Sequence, residues 1–242
     1  MNSLYKRRLP IIGSFYFIAY FIAAITLYKE RLFLDGAYYF FNVLQNNDFW
    51  VEHQRFILIP SQFLTWAGIQ FQFPLQQLML LNSINPVLYL FILFIVCLFL
   101  FKDEVAAWAL LLLGVCGVYF LFFCPMYEVW YGAALLIVFS SMLHQKFYEE
   151  YWQLLILAGV CITLLFSYPL MIFGFLFFSS YHFADIKKVR WSVVAVIAVS
   201  ILVWVLWKYF FISDYENGKI SYPWSQMRNI VKENLGSLSN WV

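Results

Sequence analysis

Long apolar runs limit what this chain can fold into more than any other feature. Several stretches approach 20 residues with almost no charge. About 20 apolar residues in a helix, each rising about 1.5 Å, cross the hydrocarbon core of a bilayer. The 242-residue chain is 64% hydrophobic and 12% charged, with a mean hydropathy of +0.78, whereas soluble domains carry about 25% charged residues. The sequence therefore predicts an integral membrane protein.

The apolar runs predict an all-α, polytopic fold of about seven transmembrane helices, two of them short. The predicted spans are Pro10–Tyr28, part of Leu75–Phe101, Val105–Phe123, Val129–Leu143, Leu154–Phe166, Leu170–Phe178 and Trp191–Ile212. Pro86 either stands in the first turn of the second span or kinks a longer helix. The short runs on either side of Ser167-Tyr168-Pro169 form one kinked helix or two short helices, and the charge distribution favours two.

Basic residues near the helix ends predict the orientation, because Lys and Arg collect on the cytoplasmic side of membrane proteins. If the basic residues at 6–8 are cytoplasmic, seven crossings place those at 187–190 there as well. The basic start and first apolar run resemble a signal peptide. The run ends without a small-x-small cleavage motif, however, which indicates a retained helix. The N terminus is therefore expected in the cytoplasm.

The predicted spans organise the chain as a membrane module, residues 1–212, followed by an outer-face tail, residues 213–242. The module contains a long first outer loop, residues 29–73, whose aromatic density argues against disorder. Asp35 is placed to N-cap a helix from Gly36 to about Gln45. The stretch at 54–72 suits a helix lying in the membrane interface.

Composition and motifs exclude several function classes. The basic tracts at 6–8 and 187–190 flank apolar runs, so no nucleic-acid partner is expected. The sequence has no Gly-rich phosphate loop, no GxSxG and no HExxH, which argues against a cytosolic nucleotide-using enzyme. The four cysteines are scattered without a CxxC pair, so neither a disulfide nor a metal site follows from them.

Charged residues are concentrated in the first outer loop, where Asp35 is the first candidate for chemistry. Acidic and basic residues at membrane depth indicate function, because charge is costly to place there. Asp35 could serve only as a helix cap. It could also act as general base for an incoming hydroxyl or hold a divalent cation, and the two roles can coexist.

Glu52, His53 and Arg55 form the second candidate group. They could simply be a solvated stretch before the interfacial helix. In the functional interpretation, the planar guanidinium of Arg55 clamps a phosphate oxygen. His53 or Glu52 then relays a proton or completes a cation site with Asp35. No ligand spacing in the sequence establishes a metal.

Glu128 is the third candidate, within CPMYEVWYG at the outer ends of two predicted spans. It is either a solvated interfacial acid or a carboxylate facing Asp35 across an outer cleft. Its neighbours Tyr127, Trp130 and Tyr131 could stack on a sugar or face lipid as ordinary interfacial aromatics. The Ser-Tyr-Pro turn is interpreted as structural, and Asn82, Ser83 and Asn85 as satisfying backbone near Pro86.

Three segments together resemble the GT-C superfamily of integral-membrane glycosyltransferases. They are LDGAYYFFNVLQNNDFWVEHQRF, PMYEVWYG and LLFSYPL. The first is similar to the Asp-x-x-Tyr-Tyr and Glu-His-x-Arg-Phe run of bacterial GT-C-like membrane proteins. Where family members have a paired acid after the first helix, this chain has Asp35-Gly36. The family's conserved module of seven helices matches the number of crossings predicted from charge.

The resemblance implies an enzyme that transfers a sugar from a lipid-phosphate carrier to an acceptor at the outer face. Asp35 and Glu128 would be the catalytic carboxylates. The implied substrate-binding residues are Tyr38, Glu52, His53, Arg55 and Tyr127. The lipid phosphate would leave with its charge offset by Arg55 or a bound divalent cation.

The resemblance also implies a multi-pass protein of the bacterial cytoplasmic (inner) membrane, with membrane lipid and a lipid-linked sugar donor as partners. Family members continue with further helices, so we expect this chain to be truncated or to need a partner subunit. Two other functions stay open. A transporter or flippase of lipid-linked material would place charges near the bilayer midplane, and a non-catalytic subunit would have no cleft between Asp35 and Glu128.

Overall fold

The computed structural model describes residues 3–117, 122–185 and 190–211, and this part of the chain contains nine α-helices and no strand. The helices are α1 (Ser3–Thr26), α2 (Leu34–Asn46), α3 (Leu58–Gln70), α4 (Leu75–Ile95), α5 (Glu104–Cys116), α6 (Glu128–His144), α7 (Tyr151–Leu165), α8 (Met171–Asp185) and α9 (Trp191–Phe211). A 3₁₀ turn at Glu52–Gln54 precedes α3, and a π-helical turn at Val96–Leu100 extends α4. The prediction of an all-α fold is confirmed for the described residues.

Three of these helices are long and apolar enough to cross a membrane: Arg8–Thr26, Leu75–Leu100 and Trp191–Phe211. The apolar helices α5, α6 and α7 are shorter, with 13, 17 and 15 residues. At about 1.5 Å per residue, a helix of 13–17 residues reaches only about 20–26 Å. The long helices fit the predicted membrane protein, whereas the count of seven spans stays a prediction.

The run around Pro169 folds as two helices, as the charge distribution favoured, because α7 ends at Leu165 and α8 begins at Met171. Pro86 lies well inside α4, so the alternative that a helix begins there is wrong. The tail, residues 213–242, lies outside the described residues, as does part of the third predicted span.

The polar residues near Pro86 tie α4 to its neighbours. The Asn85 side chain donates to the carbonyl oxygens of Pro60 and Ser61 at 2.8 Å and accepts from the Leu64 amide at 3.2 Å. Ser83 donates to the carbonyl oxygen of Ala24 at 2.6 Å. These bonds satisfy backbone groups of α1 and α3, so the predicted backbone role of Asn85 and Ser83 extends to other helices.

Apolar packing around α4 supports the site. This helix packs against α1, α3, α5 and α6, and the main apolar core includes buried side chains from all these helices except α3. A smaller cluster packs α2, α3 and the segment before α6 together, through Tyr39, Phe40, Leu58, Leu78 and Met126. The chain divides into two compact units, Met1–Trp204 and Val205–Val242, and every site residue described below belongs to the first.

Candidate functional site

A buried ion pair between Arg55 and Glu128 forms the centre of the candidate site. Arg55 directly follows the 3₁₀ turn, and Glu128 is the first residue of α6. Their side chains are only 11% and 6% exposed, and Arg55 Nη1 donates to Glu128 Oε1. Among the residues that the structure describes, Arg55 Nε and Glu128 Oε2 are buried and have no hydrogen-bond partner. Two polar atoms therefore remain available to a ligand.

The turn between α7 and α8 covers one face of Arg55. The guanidinium carbon lies 5.0 Å from the centre of the Tyr168 ring, within the range of a cation–π contact. The neighbouring rings of Phe56 and Phe166 lie 5.3 Å apart. The Ser-Tyr-Pro turn, which the sequence analysis interpreted as structural, thus contributes Tyr168 to the site.

Glu52 accepts hydrogen bonds from two adjacent tyrosines of α2. The Tyr38 hydroxyl donates at 2.6 Å, and the buried Tyr39 hydroxyl lies at 3.5 Å. The bond to Glu52 raises the pKa of Tyr38. Burial, followed by the negative charges of Glu128 and Glu52, raises the pKa of Tyr39 strongly. Both hydroxyls therefore stay protonated at neutral pH and act as donors.

Asp35 is exposed and does not cap α2. The helix begins at Leu34, the N-cap position belongs to Phe33, and no side chain caps it. The N-cap prediction for Asp35 is wrong because the helix starts two residues earlier than expected, with Leu34 itself in a left-handed conformation at φ 47°. The carboxylate instead stands in the first turn, where the helix dipole stabilises negative charge.

Asp35 and Glu128 both lie close enough to Tyr39 and Cys124 to influence the pKa of each. Both carboxylates contribute to the raised pKa of Tyr39, and both add to the raised pKa of Cys124, which burial takes to about 11. The backbone of Gly36 lies against the Cys124–Pro125 segment that leads into α6. The structure thus brings α2, with Asp35, beside the start of the helix that carries Glu128.

His53 lies two residues before Arg55 in the chain, and Tyr127 directly precedes Glu128. His53 is half-buried and has a left-handed backbone, with φ 50°, and Gln54 follows with φ 61°. Tyr127 occupies the N-cap position of α6, and burial together with the nearby Tyr168 raises its pKa. The two left-handed residues turn the chain sharply just before Arg55.

The predicted cation site does not form among these side chains. Within the described ranges, no three His, Cys, Asp or Glu side chains lie close enough together to hold a metal ion. Asp35, Glu52 and His53 are therefore not assembled as a ligand set in this structure. Glu52 is instead engaged by the tyrosine hydroxyls.

A second polar region, which the sequence analysis did not identify, lies at the other end of α6. A cavity of about 450 Å³ opens there between the ends of α5, α6 and α8. Its acidic, basic and histidine lining residues are Asp103, His144, Lys146, His182 and Asp185. Asp103 caps α5 through the Ala106 amide and accepts from Ser141 Oγ at 2.8 Å. The sequence signal was the concentration of charge between predicted spans.

Three residues of the candidate site were also missed: Tyr39, Cys124 and Tyr168. Tyr39 and Tyr168 stand inside the quoted motifs, so their positions in the sequence could have identified them.

A comparison of the chain with protein-family profiles, curated proteins and solved structures found no match.

Proposed function

We propose that this chain is a membrane glycosyltransferase of the GT-C type, which transfers a sugar from a lipid-phosphate carrier to an acceptor. The observation that carries the proposal is an exposed carboxylate, Asp35, beside a buried Arg55–Glu128 pair with unpaired polar atoms. A buried pair of charges next to an accessible carboxylate is an arrangement in which a reaction site can form. The segments Asp35–Tyr39, Glu52–Phe56 and 125–132 supply these residues.

Asp35 is the general base in this proposal, because it is the accessible carboxylate of the group. The acceptor hydroxyl oxygen forms the new bond to the anomeric carbon, and its proton passes to Asp35. The bond between the anomeric carbon and the phosphate oxygen breaks, and its electron pair leaves with the lipid phosphate. Positioned general bases contribute about 10²–10⁴-fold to such steps.

Glu128 and Arg55 bind and orient the donor. Glu128 Oε2 accepts a hydrogen bond from a sugar hydroxyl, and Arg55 Nε donates one to the donor. Glu128 already balances the charge of Arg55. Arg55 therefore orients the donor through a hydrogen bond more than it neutralises the charge of the donor. Tyr38, Tyr127 and Tyr168 add hydroxyl donors and aromatic faces on which a sugar ring can stack.

The proposed topology has seven crossings in a bacterial cytoplasmic membrane, with the N terminus in the cytoplasm and the Asp35 site at the outer face. Three helices of sufficient length and the many apolar side chains on the surface of α1 and α9 support membrane insertion. In this topology α5, α6, α7 and α8 complete the count as short spans. The basic residues at 6–8 and 187–190 then share one side.

The proposal is tested with the full chain in bacterial membranes. Radiolabelled polyprenyl-phosphate mannose, glucose and arabinose are supplied with envelope acceptors, and the label transferred and the polyprenyl phosphate released are measured. The Asp35→Asn variant should lose about 100-fold or more of the transfer rate. Asp48→Asn changes an exposed acid of the same loop and should keep the rate. Full activity in Asp35→Asn would refute the base assignment.

A transporter of lipid-linked material is the second candidate. The observation in its favour is the charged cavity at the opposite end of α6 from Glu128. The same membranes separate the two functions, since a transporter moves the labelled lipid between leaflets and releases no polyprenyl phosphate.

A further inference from the structure

Arg31 is a fully buried cation to which no carboxylate of the described residues is bound. Its side chain has no exposed surface, and its Nε and Nη1 atoms lack any hydrogen-bond partner in the described part of the chain. Its Nη2 atom reaches the Tyr20 hydroxyl only at 3.5 Å, the outer limit for a hydrogen bond. A buried charge without a partner is costly, so the folded protein gains from an anion at this position.

Aromatic rings cover the faces of the Arg31 guanidinium and do not occupy its Nε and Nη1 donors. The guanidinium carbon lies 5.2 Å from the centre of the Tyr20 ring and 4.9 Å from that of Phe122. Cation–π contacts of this kind stabilise the charge without using its N–H groups. The donors of Arg31 therefore remain free for an oxyanion, whose oxygens match the fork of the guanidinium.

Tyrosine hydroxyls lie in the field of the same cation. The Arg31 charge acts on the hydroxyls of Tyr16 in α1 and Tyr131 in α6. The Tyr131 oxygen accepts a hydrogen bond from Asn85 Nδ2 at 3.1 Å, so its own proton is available to donate. The surroundings of Arg31 thus contain further donors suited to an anion.

The position of Arg31 relative to the candidate site follows from α6. Tyr131 comes three residues after Glu128 on this helix, which places it almost one turn, about 4.5 Å, further along the axis. Residues three apart share a helix face. Tyr131, on which the Arg31 charge acts, therefore lies about one turn of α6 beyond Glu128.

We propose that Arg31 binds the phosphate group of the lipid carrier, with Tyr20 and Tyr131 beside it. This inference rests on the proposed transferase function and assigns the phosphate to Arg31 in place of Arg55, whose charge Glu128 already balances. The sugar then extends one turn of α6 toward Glu128 and Asp35. Because Tyr20 and Phe122 cover Arg31 in this structure, the phosphate enters after one of these rings moves aside.

The test measures binding with the full chain in lipid nanodiscs. The probes are undecaprenyl phosphate, undecaprenol and inorganic phosphate, and the readouts are binding affinity and unfolding temperature. The wild type should bind the lipid phosphate about tenfold or more tightly than the alcohol, because bonds to a charged donor are strong. Arg31→Met should lose this preference. Lys29→Met, which removes an exposed neighbouring cation, should keep it.

Stability without ligand separates phosphate binding from a purely structural role. If the Arg31 charge is uncompensated in the ligand-free protein, Arg31→Met should unfold at the same or a higher temperature than the wild type, because the substitution removes that charge. A clear fall in unfolding temperature without ligand, together with a retained preference for the phosphate, would overturn the inference. Protection by inorganic phosphate alone, with none added by the lipid, would overturn the lipid assignment.

Sugar transfer distinguishes this inference from the proposed function. A phosphate preference that depends on Arg31, without sugar transfer from any donor, leaves the inference standing and removes the transferase function. Sugar transfer that Arg31→Met leaves unchanged would support the transferase function and would overturn the assignment of the phosphate to Arg31. Arg31→Lys keeps the charge but loses the planar fork, so it should retain part of the phosphate preference.

Discussion

Glu128 and Arg55 form a buried ion pair although 73 positions separate them in the sequence. Glu128 comes from the first turn of α6, whose N-terminal dipole stabilises its charge, and Arg55 comes from the turn before α3. The pair therefore joins the segment that carries α2 and α3 to α6. Tyr168 covers the guanidinium, so a third segment closes over the same contact.

Breaking this pair should destabilise the protein more than replacing both members. Arg55→Met or Glu128→Met leaves one buried charge uncompensated, which costs about 3–5 kcal/mol, whereas the double variant that carries both substitutions should cost much less. A double-mutant cycle of the free energy of unfolding in detergent measures the coupling. Additive single effects would show that the two side chains do not interact in solution.

Gly36 should be intolerant of even a methyl group. An added Cβ would lie 3.1 Å from Pro125 Cδ and 3.3 Å from the Cα of Cys124, and backbone cannot easily yield there. Gly36→Ala should therefore lower the free energy of unfolding by about 1–3 kcal/mol despite the better helix propensity of Ala.

Gly159 is the matched control for that change. It lies inside α7 with nothing within 4 Å of an added Cβ. Gly159→Ala should raise the free energy of unfolding by up to about 1 kcal/mol, because Ala restricts the unfolded chain and favours helix. Equal responses at the two positions would mean that α2 does not pack on the Cys124–Pro125 segment.

The sequence was informative where apolar length decides the structure. The α6 helix begins and ends within one residue of its predicted limits, and α9 begins at the predicted Trp191, because spans are marked by composition over many residues. Scarcity of charge also singled out Arg55 and Glu128. Their pairing was not predictable, since it depends on how helices far apart in sequence pack. Asp35 was misassigned because a one- or two-residue shift of a helix start changes which side chain can cap it.

Arg31 shows a different limit of sequence reasoning. In the sequence it is one basic residue among several in the segment 29–73 and belongs to none of the quoted motifs. The feature that indicates a function is the burial of its charge with no carboxylate of the described residues bound to it. This burial depends on Tyr20 and Phe122, which lie 11 and 91 positions away in the sequence. No local pattern could reveal that these rings enclose it.

Cys124 should make the stability of the packing between α2 and the segment before α6 depend on alkaline pH. Burial, with added effects of Asp35 and Glu128, raises the pKa of its thiol to about 11 from an ordinary value near 9. A raised pKa in the folded state contributes stability that is complete below pH 9 and is lost as the pH rises toward 11. Unfolding followed between pH 8 and 11 should show a fall that Cys124→Ser reduces. An unchanged slope in that variant would contradict the assignment.

Ser141 should be needed to hold Asp103 at the cavity between α5, α6 and α8. Its hydroxyl donates to Asp103 Oδ2 at 2.8 Å, while Oδ1 caps α5 through the Ala106 amide. Ser141→Ala leaves a buried carboxylate oxygen unsatisfied and should cost about 1–3 kcal/mol of unfolding free energy. Ser140→Ala, at the neighbouring position lining the same cavity, should cost less than about 0.5 kcal/mol. Comparable losses for both serines would mean that the bond to Asp103 contributes nothing specific, and that α5 is held in place by its apolar packing against α4 and α6 alone.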